Sequence, residues 1–196
     1  MRTRQTPRMP ASEPVRLTFV CLGNICRSPT AEGIMTALVA GAGLADHIEV
    51  DSSGTAAWHL GKDPDERALA EAASSGLRLT SRSSTFHPGD AALYDMILAM
   101  DRANVTDLLD RTPEPDLRGR VRRLREFDPL LDSPEKLRAD PWGGDVPDPW
   151  FGGDDGFAVV YDLIEAACVG LLDHVRNEFR TRLPRPGGPG PTIHRR

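Results

Sequence analysis

The segment Cys21-Leu22-Gly23-Asn24-Ile25-Cys26-Arg27-Ser28-Pro29, directly behind an apolar run at residues 15–20, constrains this chain more than any other feature. Val15, Leu17, Phe19 and Val20 suit a buried parallel strand, and Ser28 followed by Pro29 offers an N-cap and a proline at the first helical position. The chain is therefore expected to pass from strand to helix within one short loop, at the sheet end where α/β folds gather ligands. Gly23 permits a positive-φ step there, and Asn24 is one of the few residues with a side chain that tolerates the left-handed region.

A loop of that kind attracts anions. Its successive amides converge as a nest, and the following helix adds partial positive charge at its N-terminus. The same field is expected to hold Cys21 as a thiolate, with Ser28 donating to the sulfur, while Arg27 presents a planar fork that grips two phosphoryl oxygens at once. Cys21 is thus the candidate nucleophile and Arg27 the candidate phosphate clamp, with Leu22, Gly23, Asn24, Ile25, Cys26 and Ser28 supplying the cradle. This is the chemistry of a cysteine-dependent phosphatase.

The rest of the chain alternates elements. Ala31, Ile34, Met35 and Leu38 recur at helical spacing before Gly41 and Gly43, and a strand is expected at residues 48–52. A helix from Pro64 to near Gly76 follows, then strands at 93–100 and 121–124 with a short helix at 104–109 between them. Phe157, Val160, Tyr161, Ile164, Ala167, Cys168, Leu171, Leu172, Val175 and Phe179 form one apolar stripe, so the chain closes on a long amphipathic helix in which Cys168 is a core residue. Such alternation predicts parallel βαβ units in a single domain, a natural count for 196 residues. We expect that domain at residues 15–181, between disordered arms at 1–14 and 182–196 that are rich in arginine, proline or glycine.

Composition narrows the partners. The net charge of -5 argues against nucleic acid and anionic membrane, and nothing approaches the ~20 apolar residues of a membrane span. The first residues lack the apolar core of a secretory signal, and three cysteines do not make a disulfide framework, so a cytoplasmic location is expected. Five histidines show no ligand spacing. No metal or other cofactor is expected, and EDTA is expected to be harmless.

Residues 128–155 read as a long loop rich in Asp, Pro, Gly and Trp, and a phosphatase needs a proton donor for the leaving oxygen. Three Asp-Pro pairs compete for that role, at Asp128, Asp140 and Asp148, each of which could equally be a turn residue.

The segment CLGNICRSPTAE resembles the active-site loop of the low-molecular-weight protein tyrosine phosphatases. The similarity continues through Val50-Asp51-Ser52-Ser53-Gly54-Thr55, Trp58-His59-Leu60-Gly61, Ile97-Leu98-Ala99-Met100-Asp101 and Asp148-Pro149-Trp150-Phe151-Gly152. It implies one α/β domain with a four-stranded parallel sheet, helices on both faces, and the phosphate loop after the first strand. It also implies hydrolysis of phosphotyrosine in a protein substrate through a phosphocysteine. A thiol at the bottom of a cleft reaches a phosphoryl group on a long aryl ether but not one on a short seryl arm, and a monomer is expected. The resemblance selects Asp148 as general acid and base and leaves Asp128 and Asp140 as turn residues. It places Trp58 and Trp150 on the rim, where two indoles can sandwich a phenyl ring, and Ser52 behind Asn24 as its brace.

Two departures from the family stand out. Trp150 and Phe151 replace tyrosines that can be phosphorylated, which excludes that regulation, and Ser81 stands where many members carry a histidine supporting the loop. The segment between Asp128 and Asp148 is also longer than usual. Cys26 is near enough in sequence to Cys21 for a reversible protective disulfide, a structural thiol being the alternative. Arginine phosphatases of the same family share the loop but carry threonine where Ile25 stands. Arsenate reductases of this fold need resolving cysteines on a mobile segment, which Cys168 in a core stripe does not provide, and a non-catalytic phosphotyrosine-binding module has no use for Asp148.

Overall fold

Four short apolar segments pair into one parallel sheet in the order β2-β1-β3-β4, with β1 at Val15–Cys21, β2 at Ile48–Gly54, β3 at Met96–Ala99 and β4 at Val121–Arg123. The structure is a computed structural model that describes residues 13–151, 153 and 155–184. Central β1 pairs on both sides, from Val15 opposite Ile48 to Cys21 opposite Gly54, and from Leu17 opposite Met96 to Val20 opposite Ala99. All four strands therefore end on the same side, and Cys21 is the last residue of the central one.

Strand period 2 divides the core between two faces. On one face Leu17, Phe19 and Leu98 meet Ile34, Met35 and Leu38 of α1 (Arg27–Gly41) and Ile164 and Leu171 of the closing helix. On the other, Val20, Ile97, Ala99 and Val121 meet Leu108, Phe86 and Ala91. Leu108 belongs to the helix that follows β3. The chain thus shows the expected α/β domain with a four-stranded parallel sheet and helices on both faces. In chain order the remaining helices are α2 (Glu66–Ser74), α3 (Arg102–Arg111), the short α4 (Pro115–Arg118) and α5 (Pro134–Ala139), and α6 (Gly156–Glu178) closes the fold. Among the described residues no helix is long and apolar enough to cross a membrane.

Several boundaries differ from expectation for physical reasons. Helix α1 begins at Arg27 with Cys26 as its N-cap, so Pro29 is its third residue rather than its first. The Ser28 hydroxyl does not cap because it is engaged by Cys21, Asn24 and the Ser53 carbonyl. Pro29 still lies in the first turn, where its missing N–H costs nothing. The strand expected at 93–100 shortens to Met96–Ala99, since residues 88–93 coil into a 3-10 turn whose Asp90 carboxylate caps the His87 amide. The loop at 128–155 contains α5 and two 3-10 turns. Asp128 and Asp140, expected to be turn residues, do accept from the Leu130 and Gly144 amides, but both also pair with buried Arg125. Most of both expected arms lies outside the described residues. Arg182 and Leu183, placed in the C-terminal arm, instead join the fold: Leu183 is buried, and Arg182 bonds Asp95 and the Pro14 carbonyl.

One glycine in α6 is demanded by packing. A Cβ at Gly170 would lie 1.9 Å from the Phe127 carbonyl oxygen, so the helix passes directly over the turn that follows β4. Gly170→Ala is expected to lower stability by about 2 kcal/mol even though alanine gains about 1 kcal/mol in helix propensity. A urea melt checks this; a higher midpoint for the variant contradicts the close approach.

Candidate active site

The loop between β1 and α1 is turned inside out by its neighbours. The carbonyls of Cys21, Leu22, Gly23 and Ile25 accept from Thr55 N (2.9 Å), Ala56 N (2.9 Å), Ser83 Oγ (3.1 Å) and Asp65 N (2.7 Å). A trans peptide points its N–H opposite to its C=O, so the amides that follow those carbonyls face the interior of the loop. Asn24 supplies the tight step in the left-handed region, with φ 53°. Gly54 at the end of β2 lets the loop approach, because a Cβ there would meet the Leu22 oxygen at 2.8 Å.

Cys21 sits beneath this ring. Its sulfur is 3.1 Å from Ser28 Oγ and accepts from Asn24 N at 3.2 Å. The Asn24 amide nitrogen Nδ2 donates to Ser28 Oγ and to Ser52 Oγ, both at 2.8 Å, and Ser52 donates in turn to Glu32 Oε2 at 2.6 Å. Asn24 Oδ1 accepts from Ser84 N at 2.8 Å, which leaves its side chain no freedom. Burial raises the Glu32 carboxyl above its ordinary value, against the hydrogen bonds from Ser52 and Ser81.

Arg27 begins α1 and is almost fully buried. Nη1 reaches Asp101 Oδ2 at 2.5 Å and the Val146 carbonyl at 3.1 Å, and Nη2 reaches Asp148 Oδ2 at 3.1 Å. Asp101 also caps α3 through the Asn104 amide, so one carboxylate fixes both a helix and a guanidinium. The other Asp148 oxygen accepts from Trp150 N at 3.0 Å.

These elements enclose a cleft of about 280 Å³. Its floor is Cys21, Leu22, Gly23, Ile25, Cys26 and Arg27, and its walls are Trp58 and His59 on one side, Asp148 and Trp150 on the other. Trp58 is 71% exposed and Trp150 46%, so both indoles stand at the mouth. His59 faces Trp150 with ring centroids 6.4 Å apart. The Arg67 guanidinium, held in a fork by Asp65, lies over the Trp150 ring at 5.1 Å and over Phe157 at 4.5 Å. Asp65 in turn bonds Ile25, so α2 ties the floor of the cleft to its wall.

All three cysteines are free thiols. Burial, then Asp65, Cys21 and Asp148, push the Cys26 thiol up to about 12, and burial also pushes Cys168 up. Both are therefore protonated at neutral pH. Among the described residues no group of three or more His, Cys, Asp and Glu side chains is placed to hold a metal ion.

The structure brings Cys21, Leu22, Gly23, Ile25, Cys26, Arg27, Trp58, Asp148 and Trp150 into one cleft, with Asn24, Ser28 and Ser52 directly behind it. Sequence pattern alone assigns no role to Asp101, Glu32, Ser83, Ser84, Arg67 or His59, although Glu32, His59 and Asp101 lie inside the quoted motifs. A signal existed for Asp101, an aspartate just past a strand's carboxyl end and three residues before an amide it caps. For Ser83 and Ser84 there was none.

The family model for low molecular weight phosphotyrosine protein phosphatase matches residues 16–181. The chain is 40% identical over 165 residues to a putative low molecular weight protein-tyrosine-phosphatase of Synechocystis, covering 84% of this chain and 99% of the relative. The chain belongs to the low-molecular-weight protein tyrosine phosphatase family. Its Streptomyces coelicolor relative, a low molecular weight protein-tyrosine-phosphatase, is 38% identical over 85% of this chain and 97% of that one. Among solved structures, a protein tyrosine phosphatase from Entamoeba histolytica, with Hepes in the active site, superposes with TM-score 0.74 at 33% identity, covering 85% and 99% of the two chains. A Drosophila arginine phosphatase superposes with TM-score 0.71 at 28% identity over 82% and 97%. Every residue of the cleft in this low-molecular-weight phosphatase lies inside the matched span.

Proposed function

We propose that this chain hydrolyses phosphotyrosine in protein substrates through a phosphocysteine, with Cys21 as nucleophile, Arg27 as phosphate clamp and Asp148 as general acid and base. The observation that carries this reading is the junction of the three groups in one cleft: a sulfur under inward amides, a guanidinium beside it, and a carboxylate 3.1 Å from that guanidinium.

The phosphoryl group binds in the loop, its oxygens on the amides of Leu22 to Arg27 and on the Arg27 fork. The Cys21 thiolate attacks phosphorus in line as the bond to the aryl oxygen breaks, and the Asp148 carboxyl delivers a proton to that oxygen. Tyrosine leaves neutral. Asp148, now a carboxylate, takes a proton from a water that attacks phosphorus from the vacated side, the S–P bond breaks, and Cys21 returns to thiolate as phosphate departs. Ser28 and the Asn24 amide stabilise sulfur each time it carries charge.

Specificity follows from depth and from the rim. Cys21 is only 3% exposed at the cleft floor, so a phosphate must arrive on a long arm, and Trp58 and Trp150 flank the path with aromatic faces. Three free thiols suit a reducing compartment, and a net charge of -5 gives nucleic acid and anionic membranes nothing to hold. We read the protein as a monomeric cytoplasmic signalling phosphatase without a cofactor.

Hydrolysis of p-nitrophenyl phosphate, with EDTA present, and of matched phosphotyrosyl, phosphoseryl and phosphoarginyl peptides tests the reading. Turnover of the aryl phosphate and preference for the phosphotyrosyl peptide are expected. Binding without turnover points instead to a recognition module, and preference for phosphoarginine to an arginine phosphatase.

A further inference from the structure

The segment leading to Asp148 is anchored by a single buried guanidinium. Arg125, 3% exposed, reaches Asp128 Oδ2 from Nε and Nη2 at 3.2 Å each and forks onto Asp140, Nη1 to Oδ2 at 2.9 Å and Nη2 to Oδ1 at 3.0 Å. The two aspartates bracket α5, so the residues between them form a closed excursion whose two ends meet at one side chain. Burial works against the charge of Asp140, but Arg125 and the Gly144 amide outweigh it and hold the carboxyl below its ordinary value.

From that point residues 143–146, on the way to the cleft, are each tied down. Asp140 Oδ2 accepts from Gly144 N at 2.7 Å, and Arg123 Nη1 bonds the Gly143 carbonyl at 3.0 Å and Asp145 Oδ1 at 2.9 Å. Arg125 Nη1 also bonds the Asp145 carbonyl at 3.2 Å. Val146 then donates to the Met100 carbonyl at 2.8 Å and accepts from Arg27 at 3.1 Å, two residues before Asp148. A buried ion pair adds little net stability over an apolar substitute, whereas removing one partner leaves a buried charge uncompensated, so the chain that carries these carboxylates is held where both reach Arg125.

Accepting the phosphatase reading above, we propose that Arg125, acting through Asp140, is a positioning residue for the general acid: it fixes residues 140–146 so that Asp148 stands on Arg27 at the leaving oxygen. Loss of the tie affects protonation of the leaving group more than attack by sulfur. A misplacement of about 1 Å can cost about 10²-fold in rate, and a general acid supplies about 10²–10⁴-fold.

The test compares kcat/KM for phenyl phosphate, whose leaving group needs a proton as tyrosine does, with that for p-nitrophenyl phosphate, whose leaving group departs readily as an anion. Asp140→Asn cuts the tie at its centre; Arg123→Gln cuts a second tie on the same segment without touching the buried pair, and so remains informative if Asp140→Asn does not fold. Each variant is expected to lose about tenfold on phenyl phosphate and less than about twofold on p-nitrophenyl phosphate, a ratio that loss of stability alone does not move. Equal losses on both substrates, or a lowered urea midpoint with both rates intact, make the network structural only and overturn the proposal. A wild-type protein that hydrolyses neither substrate defeats the phosphatase reading itself, and the inference falls with it.

Discussion

Cys21→Ser is expected to abolish turnover of every phosphomonoester, by about 10⁶-fold as for other enzymes stripped of a covalent nucleophile, while leaving phosphotyrosyl peptide binding intact. The serine oxygen occupies nearly the same place and can keep the contacts now made by Asn24 N and Ser28 Oγ. It stays a neutral hydroxyl, however, and a hydroxyl is a far weaker nucleophile than the thiolate of the proposed mechanism. The loop amides and Arg27 are untouched, so the phosphate still binds. In the proposed mechanism sulfur attacks as an anion, so its replacement also removes a repulsion toward the incoming dianion, and affinity for a phosphotyrosyl peptide is expected to equal or exceed that of wild type. Rates on p-nitrophenyl phosphate together with equilibrium binding of a labelled peptide separate the two effects. Residual turnover within about 10²-fold of wild type would falsify the assignment of Cys21, because the cradle and acid alone do not supply that much without a covalent step.

What the sequence revealed most readily was local. The apolar run ending in Cys21 and the glycine and asparagine that follow it specify strand, turn and anion cradle within a dozen residues, and α6 is legible because its stripe repeats over many turns. Asn24 adopts the left-handed conformation its chemistry permits. The start of α1 at Arg27 is not legible in the pattern, because Ser28 has two attractive uses, capping a helix and serving Cys21, and the pattern alone does not rank them. Tertiary contacts decided it.

Residues whose partners are distant in sequence left little trace. Asp101 lies 74 residues from Arg27, and Ser84 lies 60 from Asn24, so neither pairing is visible in any window of sequence. Arg125 shows the same limit on a shorter scale. An arginine followed by Asp-Pro at three and fifteen residues reads as surface charge and turns, because exposure is the default for both types. Only the folded chain shows that both carboxylates enter one buried fork. The consequence reaches the cleft, since of three similar Asp-Pro pairs two are held by Arg125 and only Asp148 lines the cleft.

That division supports the second large expectation, that Asp148→Asn lowers kcat/KM for phenyl phosphate by about 10²–10⁴-fold. Side-chain exposure separates the candidates: Asp148 is 38% exposed, whereas Asp140 is 5% and Asp128 0%. Both oxygens of Asp140 are committed to Arg125 and Gly144, so no substrate oxygen can reach a free lone pair there. Asparagine at 148 preserves the volume and can keep the contacts to Trp150 N and Arg27, but it neither gives nor takes a proton. The loss should therefore be much smaller for p-nitrophenyl phosphate, whose leaving group departs unaided. A second signature comes from the base role. With no carboxylate to activate water, phosphocysteine accumulates, and rapid mixing with p-nitrophenyl phosphate is expected to release one equivalent of p-nitrophenol in a burst before a slow steady state. The Asp140→Asn protein, by contrast, keeps its acid and shows only the partial, leaving-group-dependent loss of a displaced one. Collapse on phenyl phosphate in Asp140→Asn with near-normal rates in Asp148→Asn would exchange the two roles, and the open carboxylate at the cleft mouth would then have no part in the chemistry.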